Sequence, residues 1–206
     1  MLRRDFALSL LATGAALPAL AQRVAPQEGT EYVRLGKPVP VEAPAGQIEV
    51  VEFFAYSCIH CFNFEPLLED WDKRKPSGTV LRRVPVAFSP AFVPMQRLYY
   101  TLEAMDLVGR LHTQVFKAIH VDRLPLTTPG PITDWVVKQG VDRAKFSEIY
   151  NHADTLKKAQ HAALLQDVYG VEGTPALGVA GRFYIPGQGP KTLTIANYLI
   201  GEARKG

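Results

Sequence analysis

Cysteine is scarce in this chain, since only two of its 206 residues, Cys58 and Cys61, carry a thiol. That number excludes a fold held by several disulfides and a zinc ribbon, because each needs more sulfur atoms. Long basic runs are also absent, and a net charge of +3 is too small to indicate nucleic-acid binding. Outside the N-terminus the chain has no apolar stretch of the roughly 18 residues that an ordinary membrane span needs.

The composition that remains is that of a folded globular protein. Hydrophobic residues make up 47% of the chain and charged residues 21%, which provides enough apolar surface for a core. The length suits one domain, or one domain with an insertion.

The first 21 residues have the pattern of a secretory signal peptide. Arg3 and Arg4 give it a positive start, a short apolar stretch follows, and an Ala-Leu-Ala cleavage sequence ends at Ala21. The alternative is a retained anchor, although a Gly and a Pro interrupt the apolar stretch. The Arg pair partly resembles a twin-arginine signal, which leaves the export route open. We predict a signal peptide at residues 1–21, a leader at residues 22–46 and a periplasmic, hence oxidising, location.

Hydrophobic patterns then predict the start of an α/β fold. Residues 47–56 are apolar on both faces, which is typical of a strand buried on both sides. Apolar residues recur every three or four positions after Cys61, which predicts a helix with a kink at Pro66. A second strand is predicted at residues 79–88, at an edge of the sheet because Pro85 lacks a backbone donor.

The middle of the chain changes to helical periodicity. The first helical segment is predicted at residues 95–119, with a break at Gly109. Strand patterns return as a hairpin at residues 176–185, followed by an amphipathic helix at residues 192–204. Such an order predicts an α/β core with a helical insertion. The predicted domains are a core at residues 47–89 and 170–206 and an inserted helical domain at residues 90–169.

The chemistry is concentrated in a C-x-x-C sequence between the first buried strand and its helix. At a helix N-terminus, free N–H groups and the helix dipole favour the thiolate of Cys58 and lower its pKa. Cys61, one turn into the helix, is placed to resolve a mixed disulfide. His60 between them can donate to the thiolate or add positive charge. Because the reduced form is stabilised, the disulfide is expected to be oxidising.

Three other interpretations of the cysteine pair stay open: a structural disulfide, half of a zinc site with His60 as a third ligand, and chance. A four-residue ring restrains the unfolded chain little. No second cysteine pair completes a zinc site, so no metal is predicted.

Residues 52–65, EFFAYSCIHCFNFE, resemble the active-site segment of the periplasmic thiol:disulfide oxidoreductases of the DsbA type. Pro66 matches the helix proline of thioredoxin-like proteins, and Gly173-Thr174-Pro175 resembles their cis-proline loop. The resemblance covers residues 40–204 and implies a thioredoxin-like fold with an inserted helical domain. The chain departs from the best-known members by having Ile where they have Pro after the first cysteine.

The resemblance also implies roles for individual residues. Cys58 would be the attacking cysteine and Cys61 the resolving one. Pro175, expected to be cis, would leave the neighbouring backbone free to pair with a substrate strand, which makes Thr174 and Pro175 the substrate-binding residues. Thr174, where many members have Val, would also contact the thiolate.

Two acids resemble the buried carboxylates that move protons in this family. Glu52 interrupts an apolar strand face, and burial is expected to raise its pKa. The alternative for Glu52 is an ion pair with Arg82 or Arg83. For Glu65 the ordinary case of a solvated helix carboxylate stays open.

The function implied is donation of disulfides to reduced, unfolded exported proteins by a monomer. The redox-active Cys58–Cys61 disulfide would need no other cofactor, and an inner-membrane, quinone-linked partner would reoxidise it. The alternatives are a thiol reductase or isomerase, a glutathione-dependent enzyme on the same fold, and a non-catalytic chaperone.

Two further groups of residues are given structural interpretations. Four histidines in the helical block are predicted to be surface or interhelical residues: His112, His120, His152 and His161. An aromatic cluster is interpreted either as core between the domains or as a peptide-binding surface. Its members are Phe88, Pro90, Phe92, Pro94, Tyr99 and Tyr100.

Overall fold

The structure, a computed structural model, describes residues 25–205. The predicted signal peptide lies outside the described residues. Within them the strands are β1 Val33–Arg34, β2 Ile48–Phe54, β3 Thr79–Pro85, β4 Ala176–Val179 and β5 Phe183–Pro186. The helices are α1 Ile59–Arg74, α2 Val93–Ala104, α3 Val108–His120, α4 Pro129–Lys138, α5 Arg143–Asn151, α6 Ala153–Tyr169 and α7 Pro190–Ala203. No helix in this part of the chain has the length and apolarity to cross a membrane.

The described strands form one mixed sheet in the order β1-β5-β4-β2-β3. β2 and β3 are parallel, and their register places Glu52 opposite Arg83. β4 runs antiparallel to β2 on its other side. All of β2 except Ile48 is buried, because helices cover both faces of the sheet. The cysteine pair therefore follows directly from a fixed central strand.

Two apolar clusters attach the helices to this sheet. One cluster joins α1 and α7 to the sheet through fully buried residues such as Leu68 and Leu199. The other joins the helical block to β2, where Phe54 packs against Phe116 of α3 with ring centroids 6.0 Å apart. The inserted helices are thus packed directly behind the strand that leads into the active site.

The first helix predicted in the helical block and the second predicted strand differ most clearly from the structure. The helix predicted at residues 95–119 is divided into α2 and α3 at residues 105–107, while Gly109 lies inside α3. The turn instead uses Asp106 at a φ of 56°, a left-handed conformation that Asp tolerates better than most residues. β3 lies at an edge of the sheet, as predicted. It ends at Pro85 rather than at residue 88.

Candidate active site

Cys58 caps the N-terminus of α1. Its sulfur accepts a hydrogen bond from the Cys61 N–H at 3.3 Å. Hydrogen bonds from the Cys61 thiol, the Thr174 side chain and the backbone N–H groups of Cys61 and His60 outweigh partial burial. Together they lower the pKa of Cys58 to about 5, so this residue is a thiolate at neutral pH.

Cys61 lies one turn further along α1 and is fully buried. Burial, followed by its contact with the Cys58 sulfur, raises the pKa of the Cys61 thiol well above its usual value. The structure holds both residues as free thiols. The two sulfurs are therefore chemically different: Cys58 stabilises a negative charge and Cys61 retains its proton.

The loop before β4 faces this pair. The Thr174–Pro175 peptide bond is cis, as predicted. The Cys58 sulfur lies 3.4 Å from the Thr174 carbonyl oxygen, to which the protonated thiol donates. Gly187 allows the loop to sit here, because a Cβ atom at that position would lie 2.3 Å from the Pro175 carbonyl oxygen. No motif or periodicity in the sequence indicates this role of Gly187.

Two buried carboxylates share one arginine behind the cysteines. Arg83 contacts Glu52 with its Nε at 3.2 Å from Oε2, and Glu65 with its Nη2 at 2.6 Å from Oε1. Both glutamate side chains are only 1% exposed. Of the two arginines considered for Glu52, the register selects Arg83, whereas Arg82 pairs with Glu49 at 3.0 Å. The solvated environment considered for Glu65 is wrong, because the buried face of α1 carries it into the core.

The two carboxylates differ in charge at neutral pH. Burial, and then the negative charge of Glu65, raises the pKa of Glu52 to about 8 against the attraction of Arg83. Burial also disfavours ionised Glu65, but contacts with His112 and Arg83 outweigh it and hold the pKa of Glu65 below its ordinary value. Glu52 is therefore a protonated acid beside an ionised Glu65–Arg83 pair.

His112 completes this cluster from α3. Its Nδ1 lies 2.8 Å from the Tyr56 hydroxyl, and its Nε2 lies 3.4 Å from Glu65 Oε2. The interhelical position predicted for His112 is correct, but its contact with the acids was missed. The available signal was its spacing, since it precedes the buried residues Val115 and Phe116 by one helical turn.

Comparison with known proteins agrees with this geometry. A family model described as the DSBA-like thioredoxin domain matches residues 77–196. The thiol:disulfide interchange protein DsbA of Azotobacter vinelandii is 35% identical over 211 residues, covering 98% of both chains. The protein of that name from Bordetella pertussis is 43% identical over 157 residues, covering 76% of this chain and 74% of the relative. The crystal structure of Pseudomonas aeruginosa DsbA has a TM-score of 0.82 at 37% identity, covering 87% of this chain and 95% of that one.

This chain belongs to the DSBA-like thioredoxin domain family. The match to the Azotobacter relative spans the cysteine pair, which lies before the segment matched by the family model. The predicted thioredoxin-like fold and the predicted thiol:disulfide oxidoreductase activity are confirmed.

In this DSBA-like protein, a groove beside the cysteines could receive a substrate chain. It has a volume of about 840 Å³ and is continuous with the cis-proline loop. Its walls are mainly apolar, and its ionisable side chains are those of His60, Glu172 and Tyr184. The backbone N–H of His60 helps to lower the pKa of Cys58, and His60 itself is exposed and lines the groove. A direct effect of the His60 ring on Cys58 stays a prediction.

The other histidines and the aromatic cluster differ in how deeply their members are buried. His120 donates from Nε2 to the Tyr56 carbonyl oxygen at 2.8 Å, whereas His152 and His161 are exposed, as predicted. In the aromatic cluster Tyr99 is buried core, and Phe88 is 43% exposed. Among residues 25–205, no group of three His, Cys, Asp or Glu side chains is arranged to hold a metal ion.

The Thr174→Val variant is expected to have a higher Cys58 pKa. Valine keeps the shape of threonine but lacks the hydroxyl that hydrogen-bonds to the thiolate. Such a bond contributes roughly 1.5–3 kcal/mol, and partial exposure of Cys58 places the expected rise near the lower end, about one pKa unit. The titration is followed by the ultraviolet absorbance of the thiolate, with Thr174→Ser as the control that keeps a hydroxyl. Equal Cys58 titrations in Thr174→Val and the wild type would contradict this role.

Proposed function

We propose that this family member donates disulfides to reduced, unfolded exported proteins, with Cys58 and Cys61 as its redox group and no other cofactor. The observation that carries the proposal is the low pKa of Cys58, about 5. A stable thiolate makes the reduced protein the favoured product, and the disulfide is then a strong oxidant.

The proposed reaction transfers two electrons from the substrate to the cysteine pair. A substrate thiolate attacks the Cys58 sulfur, and the Cys58–Cys61 bond breaks with its electron pair on Cys61. A second substrate thiolate then attacks the substrate sulfur of the mixed disulfide, and Cys58 leaves as a thiolate. The substrate gains a disulfide and the protein becomes a dithiol.

In this scheme Glu52 supplies the proton that the buried Cys61 sulfur needs when it leaves. Three observations support the role: Glu52 is buried, it is protonated at neutral pH, and its pKa responds to the charge of Cys58. An acid with a pKa near the working pH is suited to both giving and recovering a proton. Arg83 and Glu65 would keep the charge beside it balanced.

We further propose that the substrate lies in the groove as an extended segment. The apolar walls, which include Leu67 and Tyr184, would contact exposed side chains of an unfolded protein. The backbone beside Pro175 would pair with the substrate main chain and bring its thiol to Cys58.

The proposed setting is the periplasm, after removal of a signal peptide at residues 1–21. The positive start, apolar stretch and cleavage sequence support export. Reoxidation by an inner-membrane, quinone-linked partner and action as a monomer complete the proposal, and both follow from the family resemblance.

The experiment that tests the direction of transfer is an equilibrium titration of the cysteine pair in glutathione buffers. A potential of about −120 mV, as in a strongly oxidising disulfide, is expected. A potential of about −270 mV, as in thioredoxin, would contradict disulfide donation and favour the reductase alternative. Stopped-flow oxidation of a reduced two-cysteine peptide by the disulfide form gives the matching rate.

A further inference from the structure

His112 enters the core from the helical insertion and meets polar groups of the thioredoxin-like core. Its side chain is 4% exposed. Phe54 and Phe116 pack against the ring with centroids 5.1 and 5.2 Å away, so it cannot turn freely. The charged or titratable groups that act on it are Tyr56 after β2, Glu65 and Glu69 on α1, Arg83 on β3 and Tyr99 on α2.

These contacts determine the protonation of the ring. Burial lowers the pKa of His112, so the imidazole is neutral at neutral pH. Burial also raises the pKa of Tyr56, so its hydroxyl is protonated at neutral pH. Because the ionised Glu65 carboxylate opposite Nε2 can only accept, the favoured tautomer has its hydrogen on Nε2, and Nδ1 accepts a hydrogen bond from the Tyr56 hydroxyl. A neutral imidazole that accepts at Nδ1 carries its hydrogen on Nε2. That hydrogen points toward Glu65 Oε2 at an N···O distance of 3.4 Å, and within residues 25–205 neither Nε2 nor Oε2 has a hydrogen-bond partner of better geometry.

We propose that His112 is a positioning residue: its Nε2–H, oriented by the Tyr56 hydroxyl, keeps Glu65 as the anion of Arg83 and leaves the exchangeable proton on Glu52. Two carboxylates this close to one arginine do not both ionise easily, so the one with the better hydrogen-bond donors around it takes the charge. Glu65 has the closer contact with Arg83 and also meets the histidine, whereas Glu52 has only the 3.2 Å ion-pair contact with Arg83 and no hydrogen-bond partner within residues 25–205.

The inference rests on the proposed role of Glu52 as proton donor, and it extends that role to the helical insertion. Glu52 can supply a proton during disulfide exchange only if Glu65 does not hold that proton instead. A residue of the inserted helices would thus determine which of the two acids carries the exchangeable proton.

The test compares three variants by carboxyl NMR titration of the reduced protein. In His112→Leu, Glu65 is expected to titrate at higher pH and Glu52 at lower pH. The proton partition between them should change roughly ten- to a hundredfold, the effect of one hydrogen bond to a charged group. His112→Gln, which keeps an acceptor and a donor, is expected to restore part of the wild-type partition. Tyr56→Phe tests the same chain of contacts if His112→Leu does not fold.

A packing control separates positioning from stability. Phe116→Leu alters the same buried surface without a polar atom, and it should lower the Tm while leaving both carboxyl titrations unchanged. If His112→Leu and Tyr56→Phe also leave the titrations unchanged, His112 only packs and the inference is overturned.

The pH profile of disulfide exchange distinguishes this inference from the proposed function. We expect the carboxyl titrations and the exchange profile to shift together in His112→Leu. If only the titrations shift, positioning by His112 stands and the role of Glu52 as proton donor fails.

Discussion

The Cys58→Ser variant is expected to lose disulfide exchange down to the uncatalysed background. Serine cannot form the disulfide, and its hydroxyl is not ionised at neutral pH. The fold should survive, because Cys58 is the N-cap of α1 and serine is a preferred residue at that position. The measurement is oxidation of a reduced two-cysteine peptide, with far-ultraviolet circular dichroism as the check on folding.

Cys61→Ser is the matched variant on the same helix turn. It keeps the Cys58 thiolate but cannot form the intramolecular disulfide, so catalytic oxidation should also be lost. Cys58 should still react with a small disulfide and remain as a mixed disulfide, detected by mass. Full activity with glutathione in Cys61→Ser would favour the glutathione-dependent alternative. Full suppression of client aggregation by Cys58→Ser, with no exchange activity in the wild type, would favour the chaperone alternative.

Glu52→Gln is expected to make the stability of the reduced protein less sensitive to a rise in pH between about 4.5 and 8. In the folded protein the pKa of Glu52 rises from 4.5 to about 8, so between these values the folded state holds a proton that the unfolded chain has lost. The free energy of unfolding of the wild type therefore falls as pH rises through this window. Gln resembles the protonated acid and does not titrate, so this loss disappears.

The expected difference is large enough to measure by urea unfolding at pH values near the two ends of that window. One pKa unit corresponds to about 1.4 kcal/mol, so burial of Glu52 accounts for roughly a few kcal/mol. Glu148→Gln, at an exposed position on α5, is the control and should keep the wild-type pH dependence. Parallel pH dependence in Glu52→Gln and the wild type would show that Glu52 is not a buried neutral acid.

The sequence could predict those parts of the site whose residues are close together in the chain. The cysteine pair follows a doubly buried strand, and the cis-proline loop precedes a hairpin strand, so neighbouring residues are enough to place both. The partner of Glu52 could not be chosen between Arg82 and Arg83, because only the register of two parallel strands decides it.

Residues that meet through packing were harder to predict. Glu65 lies one helical turn after Cys61 on the buried face of α1. That spacing alone does not predict burial, because glutamates on exposed helix faces occur at the same spacing. His112 is 47 positions further along in another helix, and no local pattern connects the two. The predicted helix break at Gly109 is wrong because a single glycine weakens a helix without ending it. The chain turns at Asp106 instead.

The helical insertion also determines when the active site can be assembled. Val51 of β2 pairs with Arg82 on one side and with Gly178 on the other, so one neighbour follows early in synthesis and the other near the end. Contacts between residues so distant in the chain form slowly. Cys58 thus leaves the ribosome long before Thr174, and a half-synthesised chain carries the reactive thiol without the loop that faces it.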